Sequence, residues 1–134
     1  MIHTCIIAAS KYELLRSLKR TLEPDVEVVA MVDNLVSLRD SMLALEPDLV
    51  VVNLDLLGEN PGRLVNILHS RSPEVGLIVL YGGDDSQRED EARNAGVDRM
   101  VLRPRAGSEL VPVAKEVLGA RRTIKVANQK TSLL

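Results

Sequence analysis

Pro47-Asp48-Leu49-Val50-Val51-Val52-Asn53 is the stretch on which the fold turns. Four aliphatic residues, three of them β-branched, stand between a proline-led entry and an asparagine. The run is far short of the ~18 apolar residues that a membrane span needs. It also lacks the polar alternation of a strand with one wet face. It therefore reads as a strand buried on both faces, the pattern of a parallel sheet covered by helices. Working outward, Cys5–Ala8, Val26–Val32, Leu77–Leu80 and Met100–Leu102 are runs of the same kind.

Between these runs the apolar residues change to helical spacing. Leu14, Leu15, Leu18 and Leu22 form one stripe, and Leu35, Leu38, Met42 and Leu45 a second. Leu64, Val65 and Leu68 make a third, and Leu110, Val113, Ala114, Val117 and Leu118 the last. Ser10-x-x-Glu13 and Ser86-x-x-Glu89 have the form of capping boxes. Asn60 before Pro61 predicts a cap with proline at the first helical position. Pro47, Pro73 and Gly96 mark the joins before strands three, four and five. Pro112 is awkward inside a helix, so the last helix is expected to begin a few residues after its stripe does. The alternation is (βα)5, an α/β, doubly wound, five-stranded parallel sheet with helices on both faces.

Composition narrows the class. At 134 residues the chain is one domain, and its 46% hydrophobic and 27% charged residues are those of a globular core with a wet surface. A single cysteine excludes a disulfide framework and fits a reducing cytosol, so a cytoplasmic location is expected. No basic start runs into an apolar stretch of signal-peptide length, and no membrane segment is expected. The net charge of −2 carries no footprint of direct nucleic-acid binding. Two tyrosines are the only aromatics, which removes the stacking surfaces of most flavin, sugar or single-strand sites. Cys5 is read as a small core residue. His3 and His69 have no ligand-spaced companions, so no metal site is expected.

In this register the chain resembles the CheY-like receiver domains of bacterial two-component response regulators over residues 3–119. The resemblance rests on Pro47–Asn53 with Gly58 following, on Leu77-Ile78-Val79-Leu80-Tyr81-Gly82, and on Ala95-Gly96-Val97-Asp98-Arg99-Met100-Val101-Leu102-Arg103-Pro104. It implies strand order 2-1-3-4-5, the flavodoxin-like arrangement. It also implies a phosphoacceptor aspartate at the end of strand three and an acidic pair after strand one that helps to bind Mg²⁺. A small hydroxyl ends strand four, and a lysine before a proline ends strand five. Here those positions fall on Asn53, on Ala9 and Ser10, on Tyr81, and on Arg103 before Pro104, with Met100 at the aromatic position of strand five.

Each replacement removes chemistry. An acyl-phosphate needs a carboxylate nucleophile, and an asparagine amide is neutral and cannot supply one. Mg²⁺ is a hard cation that seeks carboxylate oxygens, and Ala9, Ser10 and Asn53 offer none. Loss of Mg²⁺ binding is therefore expected, with no cofactor in its place. Tyr81 is too bulky for a small hydroxyl's role and is expected to fill part of the vacated pocket. Arg103 keeps a positive charge and could pair with Asp55, an acid two residues past Asn53. Asp55 is also the rival phosphoacceptor, should the chain still act in a phosphorelay.

The resemblance thus points to a degenerate receiver, not an enzyme, that acts as a phosphorylation-independent protein-interaction or dimerisation module. Its expected face is helix 4–strand 5–helix 5, through Glu89, Asp90, Arg99, Met100 and Arg105, toward a protein partner or a second copy. Receiver-like domains of some pilus-assembly ATPases and atypical transcription regulators resemble it in lacking the phosphorylation set. A small-molecule sensor using the vacated pocket, with Arg103 anchoring an anion, is the other alternative. Residues 1–119 form the receiver-like unit, and residues 120–134 are a basic tail or linker carrying Arg121, Arg122, Lys125 and Lys130 without an acid. An output domain would need far more chain than these residues, so the expectation is a stand-alone regulator or the N-terminal part of a longer protein.

Overall fold

The aliphatic runs assemble into one sheet of five parallel strands in the order β2-β1-β3-β4-β5. The computed structural model describes residues 2–132, with side chains described through Arg121. The strands are β1 (Thr4–Ala8), β2 (Glu27–Val32), β3 (Leu49–Asn53), β4 (Gly76–Tyr81) and β5 (Arg99–Leu102). The helices are α1 (Tyr12–Leu22), α2 (Leu35–Leu45), α3 (Pro61–Arg71), α4 (Ser86–Asn94) and α5 (Ala106–Ser132). A 3-10 turn, Leu54–Leu57, follows β3, and another, Arg103–Arg105, follows β5. No helix among the described residues is long and apolar enough to cross a membrane.

Successive side chains of a strand point to opposite faces, and the sheet accordingly splits the core in two. Cys5, Ile7, Val51, Ile78 and Leu80 pack with Leu18 of α1 and Leu110 and Val117 of α5. Ile6, Val50, Val52 and Val79 pack with Leu38 of α2, Val65 of α3 and Ala92 of α4. Strands β3 and β4 are buried on both faces as their composition requires. The expectation of two buried faces fails at β2, where Glu27 and Met31 are exposed, because β2 is an edge strand.

Helix starts show where local patterns lose to tertiary geometry. Asn60 caps α3 as expected, its side chain accepting from the Arg63 N–H with Pro61 in the first turn. Ser10 does not cap α1. The Ala9 N–H still donates to Val32 O at 3.0 Å, so the chain leaves the sheet late and Lys11 becomes the cap, without a side-chain bond. Asp85, not Ser86, caps α4, accepting from the Arg88 N–H. Pro112 does not delay α5, which begins at Ala106. Proline deprives the carbonyl one turn back, that of Ser108, of its helical donor. Ser108 and Pro112 are both exposed, so water can serve that carbonyl.

Cys5 lies fully buried in mid-strand, and burial pushes its thiol up to about 12, with a backbone hydrogen bond near Val51 opposing weakly. The unfolded thiol ionises near 9.0. Above that pH the unfolded chain loses a proton that the folded chain keeps, so this group's contribution to stability is complete below about pH 9 and falls between about pH 9 and 12. A thiol reagent at pH 8 is expected to modify Cys5 only at the rate of global unfolding, and Cys5→Ala should flatten stability against pH above 9. Fast stoichiometric labelling of the native protein would contradict this.

Candidate functional site

The carboxyl ends of the strands carry a polar cluster. Asn53 ends β3 at 4% exposure, beside the fully buried Ala9, while Ser10 lies in solvent. A buried amide oxygen needs a donor, and Arg103 provides it. Its Nη1 donates to Asn53 Oδ1 at 2.8 Å and also reaches Asp55 Oδ2 at 3.5 Å. Arg103 arrives from the 3-10 turn after β5, whose first residues it forms with the exposed Pro104. Asp55 sits on the other 3-10 turn with its carboxylate largely in water.

The guanidinium fits because residue 82 is glycine. A Cβ there would lie 2.3 Å from Arg103 Nη2, closer than any real contact. Tyr81 does not fill this space. Its ring packs against the core cluster on the α2–α4 side of the sheet, whereas Ala9 belongs to the cluster on the α1–α5 side. The position beside Asn53 is taken by Arg103 instead.

Arg88, which the sequence presents only as one charge of a polar helix, closes the cluster from α4. Its Nε donates to Gly58 O at 2.8 Å and its Nη2 to Leu54 O at 2.9 Å. Its Nη1 stands 3.7 Å from Asp85 Oδ2 and 3.9 Å from Asp55 Oδ1. Gly58 holds φ at +69°, a conformation that favours glycine, and so ends the turn with its carbonyl toward Arg88. The signal for the two hydrogen bonds of Arg88 could not be local, since those partners are 30 and 34 residues away and are backbone carbonyls.

Glu89 corrects an expectation. Placed on the exposed face by its polarity, it is 7% exposed and accepts from the Gly83 N–H at 2.9 Å and the Asp85 N–H at 3.4 Å. It is a reach-back carboxylate of the α4 start. Of the other face residues, Met100 is half-buried against the core. Asp90 pairs with Arg93 at 2.8 Å, Arg105 with Glu109 at 3.6 Å, and Arg99 with Glu116, all at the surface. Arg121 of the basic segment is tied down as well. Its Nη2 and Nε donate to Asp98 Oδ1 at 2.7 and 3.0 Å, and its Nη1 to Pro73 O at 2.7 Å. Arg122, Lys125 and Lys130 lie outside the residues whose side chains are described.

The donor set at the strand ends does not fit Mg²⁺. Ala9 offers a methyl group, Asn53 Oδ1 is occupied by a guanidinium, and the nearby carboxylate, Asp55, faces two cations. Among the described residues no group of three His, Cys, Asp or Glu side chains could hold a metal ion. An open polar groove of about 640 Å³ lies elsewhere, between α3 and α4, lined by Glu59, Asn60, Asn66, Glu91 and Asn94 among others.

No family profile and no curated protein matches the sequence. Solved structures do. The signal receiver domain of an HD domain-containing protein from Pseudomonas fluorescens Pf-5 superposes with a TM-score of 0.82 at 20% identity, over 92% of this chain and 99% of that one. A CheY-like response regulator receiver domain protein from Methanospirillum hungatei JF-1 gives 0.81 at 19%, over 92% and 98%. The RcsB response regulator of Salmonella typhimurium gives 0.77 at 20%, over 89% of this chain but only 60% of that one, so the present chain spans less than two-thirds of that regulator. At such identities the likeness is one of architecture, and the chain has the CheY-like receiver fold.

Proposed function

We propose that this chain is a receiver-type signalling domain that has given up phosphorylation and acts as a cytoplasmic protein-interaction module, without enzymatic activity or a metal cofactor. The observation that carries the reading is the bond from Arg103 Nη1 to Asn53 Oδ1. An amide occupies the strand end where the fold's phosphorylated members, by resemblance, keep a nucleophilic carboxylate. A guanidinium of the same chain stands where an incoming phosphoryl group and its metal would have to go. The amide cannot form an acyl-phosphate, and its oxygen is already engaged. The surface offered to a protein partner or a second copy is that of α4, β5 and α5. Among its described residues Asp90, Arg99, Arg105 and Lys115 are paired within the chain, so association must replace these pairs as well as bury apolar area, each pair being worth only about 0–1 kcal/mol.

Intact mass after incubation with Mg²⁺ and a small acyl-phosphate donor tests the reading, with an authentic receiver as positive control. No phosphoryl increment is expected here while the control gains one. Asn53→Asp is expected to gain none either, because Ala9 and Ser10 still supply no metal ligand and Arg103 would pair with the new carboxylate. An increment on the unaltered chain that disappears in Asp55→Ala would overturn the proposal and make Asp55 the acceptor.

A further inference from the structure

Arg88 and Arg103 grip the same short turn from different elements. Arg103, on the segment after β5, holds Asn53 at the start of the turn and Asp55 within it. Arg88, on α4, holds the carbonyls of Leu54 and Gly58 at the turn's two ends. The β4–α4 loop is tied to the same point, since Asp85 lies 3.7 Å from Arg88 and caps the Arg88 N–H, while Glu89 takes the Gly83 and Asp85 N–H groups. Both arginine side chains are more than two-thirds buried. A guanidinium presents several donors in a fixed plane and can bond two carbonyls and a carboxylate together, which an ammonium on a flexible stem cannot do in the same geometry.

We infer that Arg88 and Arg103 form a clasp that holds the turn after β3 and the β4–α4 loop in a single arrangement, so that α4 is presented in a fixed pose without an activating ligand. The clasp rests on the reading that no phosphoryl group is used, yet it can fail separately. Loops of this kind ordinarily open at little cost. Here, opening either loop breaks charge-assisted hydrogen bonds, and such bonds are worth more than neutral ones.

Hydrogen exchange on the full chain tests the clasp, because the Gly83, Asp85, Arg88 and Glu89 amides report the loop directly and those of Ile6 and Val51 report global opening. In the unaltered protein the loop amides are expected to be protected without any added phosphoryl donor. In Arg88→Gln, which keeps the stem and loses the fork, the loop amides are expected to exchange roughly tenfold faster while Ile6 and Val51 are unchanged. Arg88→Lys should behave much like Arg88→Gln, since charge alone does not reproduce the fork. Unprotected loop amides in the unaltered chain would overturn the clasp, and so would unchanged loop exchange in Arg88→Gln. Full protection in Arg88→Lys would overturn the role of the fork, and equal acceleration of loop and core would reduce Arg88 to a general stabiliser. A phosphoryl increment in the mass experiment defeats the functional reading, whereas these exchange results defeat the clasp alone.

Discussion

Arg103→Met is expected to lower the unfolding free energy by about 2–3 kcal/mol, and Arg103→Ala by about 1–2 kcal/mol, although alanine removes more atoms. The order follows from what each variant does to Asn53. The amide oxygen is buried and takes its hydrogen bond from Arg103. Methionine keeps an apolar stem over the amide and excludes water, so the acceptor is left bare. Alanine opens a path to solvent, and a water can serve the oxygen. Asp55 contributes little to the difference, because its carboxylate is more than half exposed. Gly82→Ala attacks the same bond from the other side, its Cβ falling 2.3 Å from Arg103 Nη2. Combined with Arg103→Ala it should therefore cost much less than the sum of the two. Chemical denaturation at constant m-value measures the four variants against the parent. Additive losses, or an Arg103→Met as stable as the parent, would show that the guanidinium does not sit on Asn53.

How much of this was legible in the sequence depends on the range over which each signal acts. Pro47–Asn53 announced a doubly buried strand because burial on both faces leaves a local trace, an unbroken aliphatic run. Strand order and the place of Asn53 at the strand end came through the resemblance, which rests on spacing along the chain. Arg103 was visible as a retained positive charge near Asp55, and that pair is present at 3.5 Å. Its main partner, Asn53, lies 50 residues away, and nothing local distinguishes an amide that holds a guanidinium from one that faces water. The grip of Arg88 on the turn had no signal, because backbone carbonyls look alike in any sequence. Glu89 carried two signals: its polarity put it on the exposed face, while the Ser86-x-x-Glu89 spacing pointed to the reach-back it makes, to the Asp85 N–H because the helix starts one residue earlier than the pattern places it. Ser10 failed for a related reason: a cap is set by where the chain leaves the sheet, and a single late hydrogen bond from Ala9 moved that point.

The other large effect concerns α5, one of the three elements offered to a partner. Leu110→Ala is expected to destabilise the protein by about 3–5 kcal/mol, with Tm lower by about 10 °C or more. Leu110 is fully buried in the cluster that joins α5 to α1 and the sheet, so truncation leaves a hole that rigid strands cannot close. The fit nearby is tight: a Cβ on Gly76 would stand 2.6 Å from Val117 Cγ1, so α5 already lies against the start of β4 with no slack to shift into the gap. Leu110→Met, which conserves volume, should cost less than about 1.5 kcal/mol. Arg121→Ala probes the far end of the same helix, where three guanidinium bonds to Asp98 and Pro73 fasten α5 beyond Gly119. Its cost is expected to be smaller, about 1–2 kcal/mol, because Asp98 keeps the Leu77 N–H at 2.7 Å. If Leu110→Ala cost no more than Arg121→Ala, α5 would be held by its ends rather than by its apolar stripe. The surface it offers would then hinge instead of standing as a rigid part of the sheet's flank.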